Sequence, residues 1–259
     1  NIKIKQYMKV VILCGGLGSR LAEETSIRPK PMVNIGENPI LWHIMKSYEK
    51  YGFNDFLLAL GYKGDYIKDY FINYHLKSSN LTVNTATGDT FVDSNPKENW
   101  NVSLINTGPD TLTGGRLLRL KGLLNETFML TYGDGVSDLN ILELLDFHKK
   151  QGKIATVTSV RPPARFGGMK IVNGIVKEFK EKPQIGEGSI NGGFFVFEPE
   201  IFNYLENDKT ILEQSPLEKL ANNNQLAAYE HLGFWHCMDT IRDKESLNNY
   251  FNSGFKPWL

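Results

Sequence analysis

Cysteine is scarce: only Cys14 and Cys237 occur in 259 residues. That excludes a disulfide framework and a structural zinc site, and it suits a reducing compartment. The five histidines, His43, His75, His148, His231 and His236, are scattered without metal-ligand spacing. No apolar run exceeds about five residues, far short of the ~20 needed to span a bilayer. Charge of one sign is missing too: Lys+Arg and Asp+Glu both total 29, which argues against nucleic acid or an anionic membrane as partner. Residues 1–7 lack the apolar core of a signal peptide and read as an extension ahead of Met8, so the chain is expected in the cytoplasm. Internal repeats and low-complexity segments are absent as well.

What is present is a 41% hydrophobic chain, enough to bury a substantial core. Its strongest local signal runs from Lys9 to Pro31. Val10 to Leu13 has the composition of a buried parallel strand. Cys14, Gly15, Gly16, Leu17, Gly18 and Ser19 follow, then the cations Arg20 and Lys30. Glycines in such a loop form a tight turn, or turn several backbone N–H groups toward one anion. A P-loop is excluded, because Gly18 is followed by Ser19-Arg20 rather than Lys-Ser/Thr. A dinucleotide fingerprint is excluded by Leu21 where Gly or Ala is needed. Arg20 and Lys30 supply the full charges a polyphosphate requires. Cys14, inside the loop, reads as a small filler.

The remaining pattern alternates. Helices are predicted over Ile40–Lys50, Asp65–Tyr74, Ile141–Lys150 and Ser215–Asn222, with another starting near Thr240. Strands are predicted over 56–60, 100–105, 128–132, 155–160, 169–172, 176–179, 194–197 and 226–230. This implies an α/β fold, a Rossmann-like mixed, mostly parallel sheet flanked by helices, whose ligands bind at the carboxyl ends of the strands. Residues 76–101 are irregular, with strand-like pieces such as Leu81-Thr82-Val83, and suit an inserted hairpin or an oligomer contact.

Four further segments carry chemistry. Thr111, Gly114, Gly115 and Arg116 stand at a predicted helix start, as an N-capped turn or as a phosphate or base-edge site. Gly133-Asp134-Gly135 ends a strand and is either a turn pair or an exposed carboxylate suited to Mg²⁺. Glu181-Lys182-Pro183 and Asn191-Gly192-Gly193 flank predicted strands, and a Glu-Lys pair is often a solvated surface pair. Asp239, before Thr240, reads as a helix N-cap.

Taken together, Cys-Gly-Gly-Leu-Gly-Ser-Arg-Leu, Arg-Pro-Lys-Pro-Met, Gly-Asp-Gly, Glu-Lys-Pro and Trp-X-X-Met-Asp-Thr resemble the sugar-phosphate nucleotidylyltransferases, also called nucleotide-sugar pyrophosphorylases. The resemblance runs from Met8 to the C-terminus and implies the nucleotide-diphospho-sugar transferase fold. It implies one domain, 8–259, with a nucleotide half near 8–140 and a sugar-phosphate half near 150–240. By that resemblance Leu13 to Ser19 wrap the triphosphate, and Arg20 and Lys30 are catalytic, steadying charge on the leaving pyrophosphate. Gly133 lies against the nucleotide, Asp134 and Asp239 hold Mg²⁺, and Asp239 is expected to cap its helix as well. Glu181, Lys182 and Asn191 meet the sugar phosphate. Thr-Gly-Pro-Asp-Thr-Leu-Thr-Gly-Gly-Arg-Leu resembles the branch that uses CTP and glucose 1-phosphate, with Thr111 and Arg116 touching CTP. Relatives are homo-oligomers, trimers or hexamers, and the branch serves deoxysugar synthesis for O-antigen and other lipopolysaccharide.

Three alternatives stay open on sequence. dTTP or UTP could replace CTP, since base choice rests on a few hydrogen bonds. A non-catalytic nucleotide-sugar sensor could share the fold, but such a protein is expected to lose the arginine, the lysine or a carboxylate, and all are present. A glycosyltransferase is expected to carry an Asp-X-Asp pair, which Asp134-Gly135-Val136 does not provide.

Overall fold

A computed structural model of the chain describes residues 6–93, 98–161, 168–172, 175–180 and 188–259. Its centre is a seven-stranded sheet. In chain order the strands are β1 (Gln6–Cys14), β2 (Phe53–Leu60), β3 (Asn101–Asn106), β4 (Phe128–Tyr132), β5 (Ala155–Val160), β6 (Ile190–Phe197) and β7 (Leu226–His231). Their spatial order is β7-β5-β6-β4-β1-β2-β3. The pairs β1–β2, β2–β3, β1–β4 and β5–β7 are parallel, while β6 runs antiparallel to both β4 and β5. The sheet is the predicted mixed, mostly parallel one, and β6 is its reversed strand.

Alternation along β1 builds two cores. Val10, Ile12 and Cys14 face one layer, packed with Ile44, Met45 and Tyr48 of helix α1 (Ile40–Glu49). Val11 and Leu13 face the other, with Leu117 of helix α2 (Thr113–Leu118) and with Phe195 and Phe197 of β6. Both faces are apolar because helices cover both, the condition for a parallel centre. The order β3-β2-β1-β4 means that the chain reverses its direction of progress between β1 and β4. A crevice opens at the carboxyl ends of strands at such a point.

The segment 76–101 does contain a hairpin, Asn80–Val83 antiparallel to Thr90–Asp93. It carries exposed apolar side chains, Val83 and Phe91 among them. At the C-terminus the predicted cap is corrected. Helix α3 (Ile241–Asn252) is capped by Thr240, whose side chain accepts from Asp243 N–H while Asp243 accepts from the Thr240 N–H. Asp239 lies one residue outside this capping box and is turned elsewhere. Among the described residues no helix is long and apolar enough to cross a membrane.

Candidate active site

The carboxyl end of β1 runs straight into the glycine loop. Gly15 is buried, whereas Gly16, Leu17, Ser19 and Arg20 are exposed. Gly18 sits at φ 63°, where a side chain is disfavoured, and its carbonyl accepts from the Leu21 N–H at 2.9 Å and from Thr25 Oγ1 at 3.1 Å. This turn starts the short helix Ser19–Leu21 that carries Arg20. Cys14 is buried, and burial pushes its thiol well above the ordinary range. Burial, with Asp239 adding, pushes Cys237 up to about 12. Neither thiol is a nucleophile at neutral pH.

Lys30 is brought to β4 by its neighbour Pro31. A Cβ on Gly133 would come within 2.8 Å of Pro31 Cγ and 3.0 Å of the Leu13 carbonyl, so only glycine lets these three strand-end segments meet. Beyond Gly133, Asp134 leads into a two-stranded ribbon, Gly135–Ser137 against Trp235–Cys237, with Gly135 opposite Cys237. The Met238 N–H donates to the Asp134 carbonyl at 2.8 Å. The ribbon thus places Asp134 and Asp239 at one end, although they come from distant parts of the chain.

Lys30 Nζ lies 2.6 Å from Asp134 Oδ2 and 2.5 Å from Asp239 Oδ1. Burial alone would lower its pKa, but the two carboxylates outweigh burial and hold it above the usual lysine range. Arg20 Nη1 donates to Asp239 Oδ2 at 3.0 Å, with its side chain 76% exposed. That contact is screened and weak, so the cation is free to turn to a ligand. The ammonium marks a point that one oxygen of each aspartate reaches. Carboxylate oxygens are the donors Mg²⁺ prefers, and Mg²⁺ takes one or two carboxylates and completes its shell with water and phosphate. Among the described residues no third His, Cys, Asp or Glu joins a metal-sized group. The pair fits that ion.

The Thr111–Arg116 segment is used differently from its sequence appearance. The Gly114 and Gly115 N–H groups donate to the Thr210 carbonyl at 3.0 and 3.2 Å, and the Leu112 N–H to the Asp208 carbonyl at 2.9 Å. A Cβ on Gly115 would stand 2.4 Å from the Asp208 oxygen. The helix start is therefore filled by the protein's own carbonyls, and the two glycines permit that approach. Thr111 is buried, and so is Arg116, whose guanidinium reaches back under the glycine loop to the Gly15 carbonyl at 3.0 Å.

Asn191, which the resemblance assigns to the sugar phosphate, is exposed on β6; its Oδ1 accepts from the Gly193 N–H at 2.8 Å and its Nδ2 donates to Tyr132 Oη at 3.3 Å. Tyr132 donates to Glu213 Oε1 at 2.5 Å, and Thr113 Oγ1 donates to Glu213 Oε2 at 2.6 Å. Glu213 thereby ties Asn191, through Tyr132, to helix α2. Sequence reasoning did not single out Tyr132 or Glu213, because neither lies in a motif. Glu181 and Lys182 lie outside the described residues.

The nucleotidyl transferase family model matches residues 9–236. A glucose-1-phosphate cytidylyltransferase of Salmonella typhimurium is 50% identical over 97% of this chain and 98% of its own. A probable glucose-1-phosphate cytidylyltransferase of Bacillus subtilis is 46% identical over 97% of this chain and 99% of its own. Among solved structures, HddC from Yersinia pseudotuberculosis superposes with a TM-score of 0.69 at 24% identity, covering 94% of this chain and 99% of that one. UDP-glucose pyrophosphorylase from Acinetobacter baumanii gives 0.66 at 18% identity, covering 95% and 93%. At those identities the structural likeness concerns the fold.

Proposed function

The chain belongs to the nucleotidyl transferase family, and from that premise we infer that it transfers the cytidylyl group of CTP to glucose 1-phosphate, releasing pyrophosphate and leaving CDP-glucose. The observation that carries this is the near end-to-end identity of about half with relatives named for that reaction. A phosphate oxygen of glucose 1-phosphate attacks the α-phosphorus of CTP. The bond from that phosphorus to its bridging oxygen breaks, and the electron pair leaves with pyrophosphate. The sugar phosphate is already anionic near pH 7, so no residue needs to act as a base.

The residues must hold two anions in line and neutralise them. The Gly15–Ser19 loop stands at the end of β1 to receive the triphosphate through backbone N–H groups, with Leu13, Cys14, Thr111, Arg116 and Gly133 around it. Arg20 and Lys30 are the cations within reach of charge accumulating on pyrophosphate. Asp134 and Asp239 would hold Mg²⁺, which when bound supplies Lewis-acid neutralisation of phosphate charge. Asn191 faces the sugar, and the resemblance adds Glu181 and Lys182 to that side. The sensor reading is disfavoured by one observation: both cations and both carboxylates are not only retained but assembled within hydrogen-bond distance.

A cytoplasmic setting follows from dependence on CTP, and CDP-glucose is the precursor expected for lipopolysaccharide deoxysugars. The homo-oligomer implied by the resemblance would cover the exposed Val83 and Phe91 of the hairpin. Incubation with CTP, glucose 1-phosphate and Mg²⁺ tests the reaction. Equimolar CDP-glucose and pyrophosphate are expected, and absence of CDP-glucose from folded protein would overturn it.

A further inference from the structure

Arg116 is a cation inside the protein, only 4% exposed. Its Nη1 donates to the Leu60 carbonyl at 3.1 Å, Thr107 Oγ1 at 2.8 Å and the Gly108 carbonyl at 2.7 Å. Its Nη2 donates to the Gly15 carbonyl at 3.0 Å and the Pro109 carbonyl at 3.2 Å. Every one of these acceptors is uncharged. The berth is built for this side chain. A Cβ on Gly15 would fall 2.1 Å from Arg116 Cζ, and a Cβ on Gly61 would fall 2.4 Å from Nη1. Two glycines from different strand ends are therefore cleared for one guanidinium.

The contact with Gly15 has a directional consequence. In a trans peptide the C=O and the following N–H point opposite ways. The Gly15 carbonyl is held on the inner side by Arg116 and also by the Tyr62 N–H at 3.2 Å. The Gly16 N–H is thereby turned to the opposite side of that peptide; Gly16 itself is exposed, and a Cβ added to it would meet nothing within 4 Å. The N–H groups of Gly16, Leu17 and Gly18 have no acceptor among the described residues. Consecutive amides without a backbone acceptor, with a buried positive charge beneath them, are the features an anion-binding loop needs.

We propose that Arg116 is a positioning residue for the triphosphate: by holding the Gly15 carbonyl, it aims the Gly16 amide, the first free N–H of the loop, at the phosphates. This rests on the reading of the Gly15–Ser19 loop as the triphosphate site. Its planar fork, rather than its charge alone, is the working feature, since five acceptors from three strand ends are met at fixed angles. Thr107, Gly108 and Pro109 are held by the same fork, so the loop after β3 and the loop after β1 keep one relative placement.

The test uses inorganic tripolyphosphate as probe, titrated calorimetrically into the intact protein without divalent cation, with cytidine as a second probe. Binding of tripolyphosphate to the wild type checks the loop reading itself; no binding there removes that reading and the inference with it. Arg116→Lys keeps the charge and loses the fork. Gly61→Ala keeps the arginine and crowds its berth, which covers the case in which the first variant does not fold. Each is expected to weaken tripolyphosphate by about tenfold or more, with cytidine affinity changed less than twofold. A merely structural role would lower Tm while leaving tripolyphosphate affinity of the folded protein unchanged. Wild-type affinity for tripolyphosphate in either folded variant overturns the proposal. So does loss of cytidine binding with tripolyphosphate retained, which would make Arg116 a nucleoside contact.

Discussion

Lys30 and Asp134 are separated by 104 residues in sequence, yet the lysine Nζ lies 2.6 Å from the aspartate Oδ2. Asp239 holds the same ammonium from the other side at 2.5 Å. Two carboxylates facing one point repel each other, and the lysine supplies the counter-charge that lets them converge. The arrangement holds one cation, the lysine ammonium, between the two carboxylates. In the proposed reaction that ammonium would be needed at the phosphates, so loading of the proposed Mg²⁺ and release of the lysine would be coupled.

Removal of that ammonium should therefore expose the carboxylates. Lys30→Gln is expected to bind Mn²⁺ about tenfold more tightly than the wild type when no nucleotide is present, because no internal cation competes. Electron paramagnetic resonance of free Mn²⁺ reads this directly. Unchanged affinity would separate the metal site from Lys30.

Asp134→Asn removes one carboxylate from a partly exposed position, so the fold should survive. Turnover is expected to fall by about a thousandfold or more, as metal-held charge neutralisation is lost. Near-wild-type rates of pyrophosphate release in this variant would remove Asp134 from the metal role.

Gly115→Ala is predicted to destabilise the protein by about 1–3 kcal/mol, the ordinary cost of overpacking. Its Cβ would stand 2.4 Å from the Asp208 carbonyl oxygen, which is backbone and cannot simply swing away. Urea unfolding measures the change. A variant as stable as the wild type would show that the 207–212 segment does not need to dock so closely.

His43 makes stability depend on pH. It is fully buried; its Nε2 donates to the Ile35 carbonyl at 2.8 Å and its Nδ1 accepts from Trp258 Nε1 at 3.2 Å. Those partners require the neutral ring. Burial above all lowers its pKa to about 4, against about 6.5 in an unfolded chain. Between those values the unfolded state binds the proton more readily. The His43 contribution is thus complete above pH 6.5 and declines by about 3 kcal/mol as pH falls to 4. Unfolding midpoints of His43→Gln should change less than wild type across that window, and parallel pH profiles would contradict the assignment.

The sequence made the local parts of this site readable, because each is a short stretch with its own stereochemistry. The glycine loop, the Lys-Pro pair and Gly133-Asp134 announce a strand end meeting an anion. Partners distant in the chain were not readable: Glu213 joins Tyr132 to Thr113 only after β4, α2 and the 210s meet. The berth of Arg116 was not readable, because a lone arginine gives no sign that five oxygens from three strand ends surround it. Whether Gly114 and Gly115 begin a capped turn or an anion site stayed open for the same reason, since the carbonyls that fill the helix start come from residues 208 and 210. The reversal of β6 was hidden because Phe194–Phe197 is apolar whichever way it runs. The cap at Thr240 was legible in Thr240-X-X-Asp243, but Asp239 and Thr240 are both good caps and only the capping-box spacing separates them.

The most direct test of the central claim is pyrophosphate release with glucose 1-phosphate and Mg²⁺, comparing kcat/KM for CTP, UTP, dTTP, ATP and GTP on the same preparation. Cytidylyl transfer predicts CTP ahead of each of the others by at least about a hundredfold, the discrimination that one or two base-edge hydrogen bonds supply. Preference for dTTP or UTP would leave the fold and the Lys30–Asp134–Asp239 cluster in place but contradict the assigned reaction, and silence with all five would contradict catalysis itself.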